Sequence, residues 1–434
     1  MRGNSLLCSF FCLALFGLPS PLPSLHAQTV AEEHARKLDE FLVQGKLVAA
    51  ASHFRSVLEQ QPDEPTALLA LGLTEFLQAL EYLGNSNYRF GTLSNSATEE
   101  LPLLRLPVPE NPHPDQVSYD ELCSVIKQFQ GKVRAAESTL ARVKTENVYL
   151  PLYLGRARLD LNGDGAMGDE ETLWRICRVI APQLEQAQGE AFVVGVDGAD
   201  VHWLRGYCHF LQAVCDMVLA YDERQLFERC GQLVFPNIET PFLAPKDLGR
   251  MADFDLRSIA DAIAAIHLIR FPVVAPERMR AAHGHLLAMV QQSRLCWERV
   301  LAETDDRNEW IPNPQQTSVL GVAVPREIIT GWSKVLDEVE QLLQGKKLIP
   351  YWRQYSNQLF GFGLEPADQI PEQGKGLNLR RIFFEPQELD LILWLQGTGV
   401  EVYLEEGPLS TPEAWNRLTQ VFEGQFFGFA VWFN

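Results

Sequence analysis

Asp160-Leu161-Asn162-Gly163-Asp164-Gly165-Ala166-Met167-Gly168-Asp169-Glu170-Glu171 sets side-chain oxygen at the first, third and fifth places of a twelve-residue stretch. Glycine stands at the sixth place, an apolar residue at the eighth and glutamate at the twelfth. A hard divalent cation such as Ca2+ takes six to eight oxygens at roughly 2.3–2.6 Å, and this spacing wraps oxygen donors around one point. Asp160, Asn162 and Asp164 offer side-chain oxygen, Ala166 its backbone carbonyl, and Glu171 both carboxylate oxygens. Gly165 permits the sharp turn that a residue with a Cβ resists. Gly168, at the ninth place, leaves that coordination position to water.

The stretch resembles the loop of an EF-hand, and the related loop of dockerin modules, over about two dozen residues with its flanks. The resemblance implies a helix on either side. The entering segment is Asn147–Leu159, with Pro151 tolerated in its first turn. The leaving segment starts at Glu170 and carries Leu173, Cys177 and Ile180 at spacings of four and three. Thr172 stands where the family has an apolar residue, which Leu173 supplies one place later. The competing reading is an Asp/Asn/Gly-rich turn between helices that holds no metal.

Outward toward the N-terminus, Ala31–Gln44 and Leu47–Gln60 predict paired helices separated by Gly45-Lys46. Ala50, Phe54 and Pro62 have the small–aromatic–proline spacing of the second helix of a tetratricopeptide repeat, and Leu68, Leu71 and Gly72 fit the start of another. That resemblance implies a helical surface for contact with another protein and no chemistry. An ordinary helical hairpin accounts for the pattern equally well.

Met1–Ala27 reads as a secretory signal. Arg2 gives the positive start and Leu6–Leu18 an apolar run too short to span a bilayer; Pro19, Pro21 and Pro23 precede the cleavage-like Leu25-His26-Ala27. The expectation is a secreted or periplasmic chain with no membrane insertion once the signal is removed. Export suits a single loop of modest calcium affinity, in the extracellular range of about 10⁻⁴–10⁻³ M. Without the signal, 36 Lys and Arg oppose 56 Asp and Glu, a formal charge of −20. Such acidity argues against nucleic acid and anionic membranes as partners. Cys123, Cys177, Cys208, Cys215, Cys230 and Cys296 remain, and both bridged and free buried cysteines fit an exported chain of this length.

Outward in the other direction, Leu101–Asp115 holds five prolines and predicts an extended connector. Ser118 and Glu121 form a capping box before Leu122, Ile126, Phe129, Val133, Ala136 and Leu140 at helical spacing. Asp200 is expected to cap a helix to about Tyr221, and Leu256–Ile269, Pro276–Glu303 and Pro325–Leu343 are expected helices. Three stretches are strand-like: Ala191–Val196, the pair Leu391–Leu395 and Val400–Leu404 around Gly397-Thr398-Gly399, and Phe426–Phe433. The fold class is therefore mainly α. It is a multi-helix array with tetratricopeptide-like hairpins at the N-terminus, one EF-hand-like helix–loop–helix and a small C-terminal β-sheet. The expected divisions are a signal at 1–27, a helical region at 28–100, a connector at 101–116, a helical region holding the loop at 117–235 and a mainly helical region at 236–434.

Few other groupings suggest chemistry. His202, His209 and Asp216 share one helix face, but each step of seven residues rises roughly 10 Å, too far to chelate one ion. His283 and His285 point to different sides of their helix. Ser124 and Lys127 match a serine–lysine spacing whose partner triads are missing. Glu303–Pro314 packs acids, amides and Trp310 into a loop of the kind that binds, and the dense aromatics of the C-terminal third suit core packing or stacking. The residues thus point to an exported, non-catalytic helical protein that holds one calcium ion and contacts another protein through a helical surface. The alternative is a secreted hydrolase in which calcium is structural and two acids act without a local motif.

Overall fold

Helices α1 (Leu25–Val43) and α2 (Leu47–Gln60) form the expected pair, and the turn between them passes through Gly45 at φ +62°. Helix α3 (Pro65–Phe90) follows, with Pro65 at its first position and the Glu64 carboxylate accepting the Ala67 N–H. This is a computed structural model, and it describes residues 25–93, 106, 108–146, 148–175, 185–191, 193–242, 263–319, 321, 323–355 and 370–422. The expected signal lies almost wholly outside the described residues, as do the strand expected at Phe426–Phe433, the first half of the helix expected at Leu256–Ile269 and residues 101–105 and 107 of the proline-rich connector. Among the described residues no helix is long and apolar enough to cross a membrane.

Mainly helical architecture with small antiparallel sheets is what the chain adopts. Ala50, Phe54, Leu68 and Leu71 are buried where α1, α2 and α3 meet. Helix α3 runs unbroken for 26 residues, whereas a 34-residue repeat of two helices leaves each roughly half of that length. Its middle serves a different contact: a Cβ at Gly72 would overlap the Leu140 side chain. Leu140 ends α4 (Tyr119–Leu140), which starts with the expected capping box, Glu121 N–H donating to Ser118 Oγ (3.2 Å) and Ser118 N–H to Glu121 Oε2 (2.9 Å).

The entering flank of the loop corrects an expectation. Tyr149–Leu152 is a strand, β1, paired antiparallel with β2 (Val194–Asp197), and a single 3₁₀ turn at Leu154–Arg156 follows it. Leu150 and Leu152 are fully buried and their neighbours are not, so period two overrides the helical reading of this apolar run. Pro151 lacks an N–H and is accommodated in a two-stranded edge pairing, opposite Gly195. Tyr149 covers Gly195 so closely that a Cβ there would collide with its ring. The strand expected at Ala191–Val196 thus forms over Val194–Asp197, with Tyr149–Leu152 as its partner.

Helix α5 (Gly198–Leu219) begins three residues before the expected start. Its cap is Asp197, whose Oδ1 accepts the N–H groups of Ala199 (2.8 Å) and Asp200 (3.4 Å), while Asp200 Oδ2 accepts the Asp197 N–H (3.1 Å). Asp200 is thus the third helical residue of a capping box and not the cap itself. Helices α6 (Pro276–Ala302) and α7 (Arg326–Leu343) lie where expected.

Near the C-terminus a three-stranded antiparallel sheet joins β3 (Ile349–Pro350), β4 (Gln373–Leu377) and β5 (Leu404–Pro408), with β4 central. The strands expected at Leu391–Leu395 and Val400–Leu404 do not form in it, apart from Leu404, which opens β5. Leu391–Gln396 is a helix, α8, capped at one end by Asp390, whose side chain accepts the Leu393 N–H (3.0 Å), and ended by Gly397 at φ +103°. Thr398–Tyr403 is 3₁₀. The glycine that suggested a hairpin turn is a helix C-cap.

One apolar core gathers α1, α2 and α3 with Leu140, Leu150, Leu159, Leu161 and Val201, so it runs from the N-terminal helices into the loop region. A second is built on α6, α7 and the C-terminal sheet, and Trp203 and Trp310 pack against both. Cys123, Cys208, Cys215 and Cys296 are free thiols.

Candidate cation-binding loop

Asp160 is the pivot of the loop. Its Oδ1 accepts the Gly163 N–H (2.7 Å) and its Oδ2 the Gly165 N–H (3.0 Å), so the chain curls around one carboxylate. Both glycines stand in the left-handed region, at φ +75° and +76°. Asn162 Oδ1 accepts the Asp164 N–H (2.9 Å), Asp164 Oδ1 accepts the Ala166 N–H (2.7 Å), and Asn162 Nδ2 donates to Asp164 Oδ2 (3.0 Å). Asp164, Gly165 and Ala166 are exposed, whereas Glu171 is buried.

Glu171 closes the loop from within. Leu161 N–H (2.9 Å) and Asn162 N–H (3.4 Å) donate to its Oε1, and Gly168 N–H (2.9 Å) donates to its Oε2. The loop's ends also pair as strands do: Leu159 N–H donates to the Glu171 carbonyl (2.9 Å) and Leu173 N–H to the Ala157 carbonyl (2.7 Å). A two-residue β clasp takes the place of an entering helix. The loop ends in a 3₁₀ turn at Asp169–Glu171 that leads into a short helical turn at 173–175, and Cys177 and Ile180 lie outside the described residues.

The loop is docked on the N-terminal helices through contacts that no local pattern announces. Glu81 Oε1 accepts the Asp160 N–H (3.0 Å), and Asn85 Nδ2 donates to the Asp160 carbonyl. Between them on α3, Gly84 receives the fully buried Leu161 side chain, which a Cβ at 84 would strike. Met167, the apolar eighth residue, lies over Gly45 in the α1–α2 turn. Arg158 spans the outside, donating to the Met167 carbonyl (2.8 Å) and to Asp169 Oδ1 (3.1 Å). Burial raises the Glu81 carboxyl above the usual range; the Asp160 N–H opposes this, and the charges of Asp160 and Glu171 add to it.

The donor set suits a hard divalent cation in kind: three carboxylates, one amide oxygen and one carbonyl. A carboxylate offers about four lone-pair directions, so Asp160 and Asp164 keep capacity beyond the bonds they accept here. Glu171 has three of its directions in use, which leaves room for about one further bond to an ion. The oxygens of Asp160, Asp164 and Glu171 do not all approach within 4.8 Å of one another.

A second acidic grouping escaped the sequence reading. Oxygens of Asp197, Glu303 and Glu309 lie within 4.8 Å of one another, bringing the cap of α5 against the Glu303–Pro314 segment. Glu309 Oε1 accepts the Arg307 N–H (2.7 Å), and Gln316 Nε2 donates to Glu303 Oε2 (3.1 Å). Burial first, and the neighbouring negative charges after it, push Glu303 up to about 9 and Glu309 up to about 7, and burial raises Asp197 as well. Carboxyls this close to one another favour the protonated form of at least one of them. The acid-rich Glu303–Pro314 segment carried a signal of its own, and only folding brings Asp197 to it. Compared with known proteins, the chain matches no family model, no curated protein and no solved structure.

Proposed function

We propose that the chain is an exported, non-catalytic helical protein that binds one Ca2+ through Asp160, Asn162, Asp164, Ala166 and Glu171, and that engages another protein through its helical surface. The observation that carries this reading is the curl of Asp160 to Asp164 about the Asp160 carboxylate, with exposed oxygens on the same turn as Gly163 and Gly165. The ion supplies the positive charge that the clustered carboxylates lack. Because the loop rests on α3 and on the α1–α2 turn, the ion acts as a clip between the β1 region and the N-terminal helices. Its task is to hold that helical surface in one shape for a partner.

The test is calorimetric titration of the full chain and of Asp160→Ala with Ca2+. At 10 to 100 times the dissociation constant, binding stabilises the fold by roughly 1.4–2.7 kcal/mol. The wild type is expected to show one site and this stabilisation, and the variant neither. An equal calcium response in both would end the reading.

A second reading, a secreted hydrolase with structural calcium, draws support from Glu303 and Glu309, whose raised proton affinity suits acid–base work. Two surface grooves, of about 710 and 570 Å³, are lined by residues other than these acids. Turnover of chromogenic glycosides or esters by the wild type, lost in Glu303→Gln, would establish it. No turnover by the wild type would remove it.

A further inference from the structure

His209 on α5 and His285 on α6 aim their Nδ1 atoms at each other across 3.0 Å. The other nitrogen of each ring faces a carboxylate. His209 Nε2 lies 3.5 Å from Glu137 Oε1 on α4, and His285 Nε2 lies 3.8 Å from Asp216 Oδ2 on α5. A row of carboxylate, imidazole, imidazole and carboxylate therefore crosses three packed helices. Asp216 is 3% exposed; its Oδ1 accepts Arg278 Nη1 (2.6 Å), and its Oδ2 accepts no hydrogen bond.

The charged groups around the pair are already engaged. On α4, Glu137 binds Arg205, and Arg134 donates to Gln212 Oε1 (3.4 Å). On α5, Arg205 places Nε and Nη2 at 3.1 and 3.0 Å from Glu137 Oε1. On α6, Arg278 serves Asp216 and Gln130 (3.1 Å). Among the described residues, His285 Nε2 is the basic group placed within 4 Å of Asp216 Oδ2, because Arg278 is paired with Oδ1.

Proton counting decides what the row can do. Two neutral imidazoles carry two ring protons, while the three contacts of the row would use three. One added proton completes them: an N–H between the two Nδ1 atoms and an N–H toward each carboxylate. A further proton would set two N–H groups against each other at 3.0 Å. We propose that His209 and His285 form a proton latch that accepts one proton and resists a second, so that acid strong enough to force the second frees α6 from α4 and α5.

The sign follows from linkage. Burial lowers the proton affinity of both rings, and at His209 the facing His285 lowers it further. A histidine depressed in the folded state contributes stability above its unfolded value, about 6.5, and that contribution is lost as pH falls through the folded value.

Ring nitrogen-15 NMR of the full chain, titrated from about pH 8 to about pH 4 with amide exchange followed in parallel, tests the latch. Both rings should shift together in one first step. A second step should come at least about one pH unit lower, and protection of the α6 amides around His285 should fall with it. In His285→Gln the lower step and the loss of protection should vanish, leaving His209 with one titration; His209→Gln reads the same from the other ring. Independent single-site titrations of both rings, absence of titration in either, or a second step that leaves α6 protected would each overturn the proposal.

Discussion

Asp160 donates its N–H to Glu81 Oε1 across 3.0 Å, although 79 positions separate them in the chain. The first residue of the candidate cation loop is therefore oriented by a carboxylate of α3. Glu81→Ala removes that acceptor while leaving every loop oxygen in place. The expected outcome is calcium binding weakened about tenfold, or about 1.4 kcal/mol, in a calorimetric titration. Unchanged affinity would show that α3 does not orient the loop.

Glu171 separates clamp from ligand. Its two oxygens accept three backbone N–H groups in a buried setting, and the amide of Glu171→Gln would turn a donor toward at least one of them. Loss of roughly 1–3 kcal/mol is expected in urea unfolding with calcium chelated. A variant that lost only its calcium response would make Glu171 a ligand alone.

Leu161 and Gly84 fit each other as knob and hole. Leu161→Ala should cost about 2–5 kcal/mol and Gly84→Ala about 1–3 kcal/mol. The double variant should cost less than the sum, because the new methyl enters the space the leucine vacates. Additive costs in chemical denaturation would mean that the two do not pack as described.

Glu303 carries the pH dependence of the acid cluster. Its folded value of about 9 lies above the ordinary 4.5, so the folded state holds the proton more tightly than the unfolded chain. Its stabilising contribution is full below about 4.5 and disappears as pH rises toward about 9. Glu303→Gln, which keeps a hydrogen-bonding group and removes the titration, should flatten that decline and melt higher than the wild type at pH near 8. A parallel decline in both proteins would assign the pH dependence elsewhere.

The helices were legible where several local signals agreed. Ser118 and Glu121 with the apolar stripe to Leu140 gave α4 its start and face, and the stripes of α6 and α7 gave theirs. Reading failed where one short run served two periods. Val148–Tyr153 is apolar at nearly every place, so helix and strand were not separable until Val194–Asp197 arrived to pair with it. Gly397 ends a helix and could as well have turned a hairpin, since both need the same positive φ.

For the candidate site, the twelve consecutive residues alone set the order of oxygens and glycines, because backbone turns and their donors act over five or six positions. What the loop rests on came only with tertiary structure. Glu81, Gly84 and Asn85 sit on a distant helix, and the His209–His285 row and the Asp197–Glu303–Glu309 cluster likewise draw on separate elements. Such meetings depend on how apolar faces pack, and packing is a property of the whole core that no short window of sequence contains.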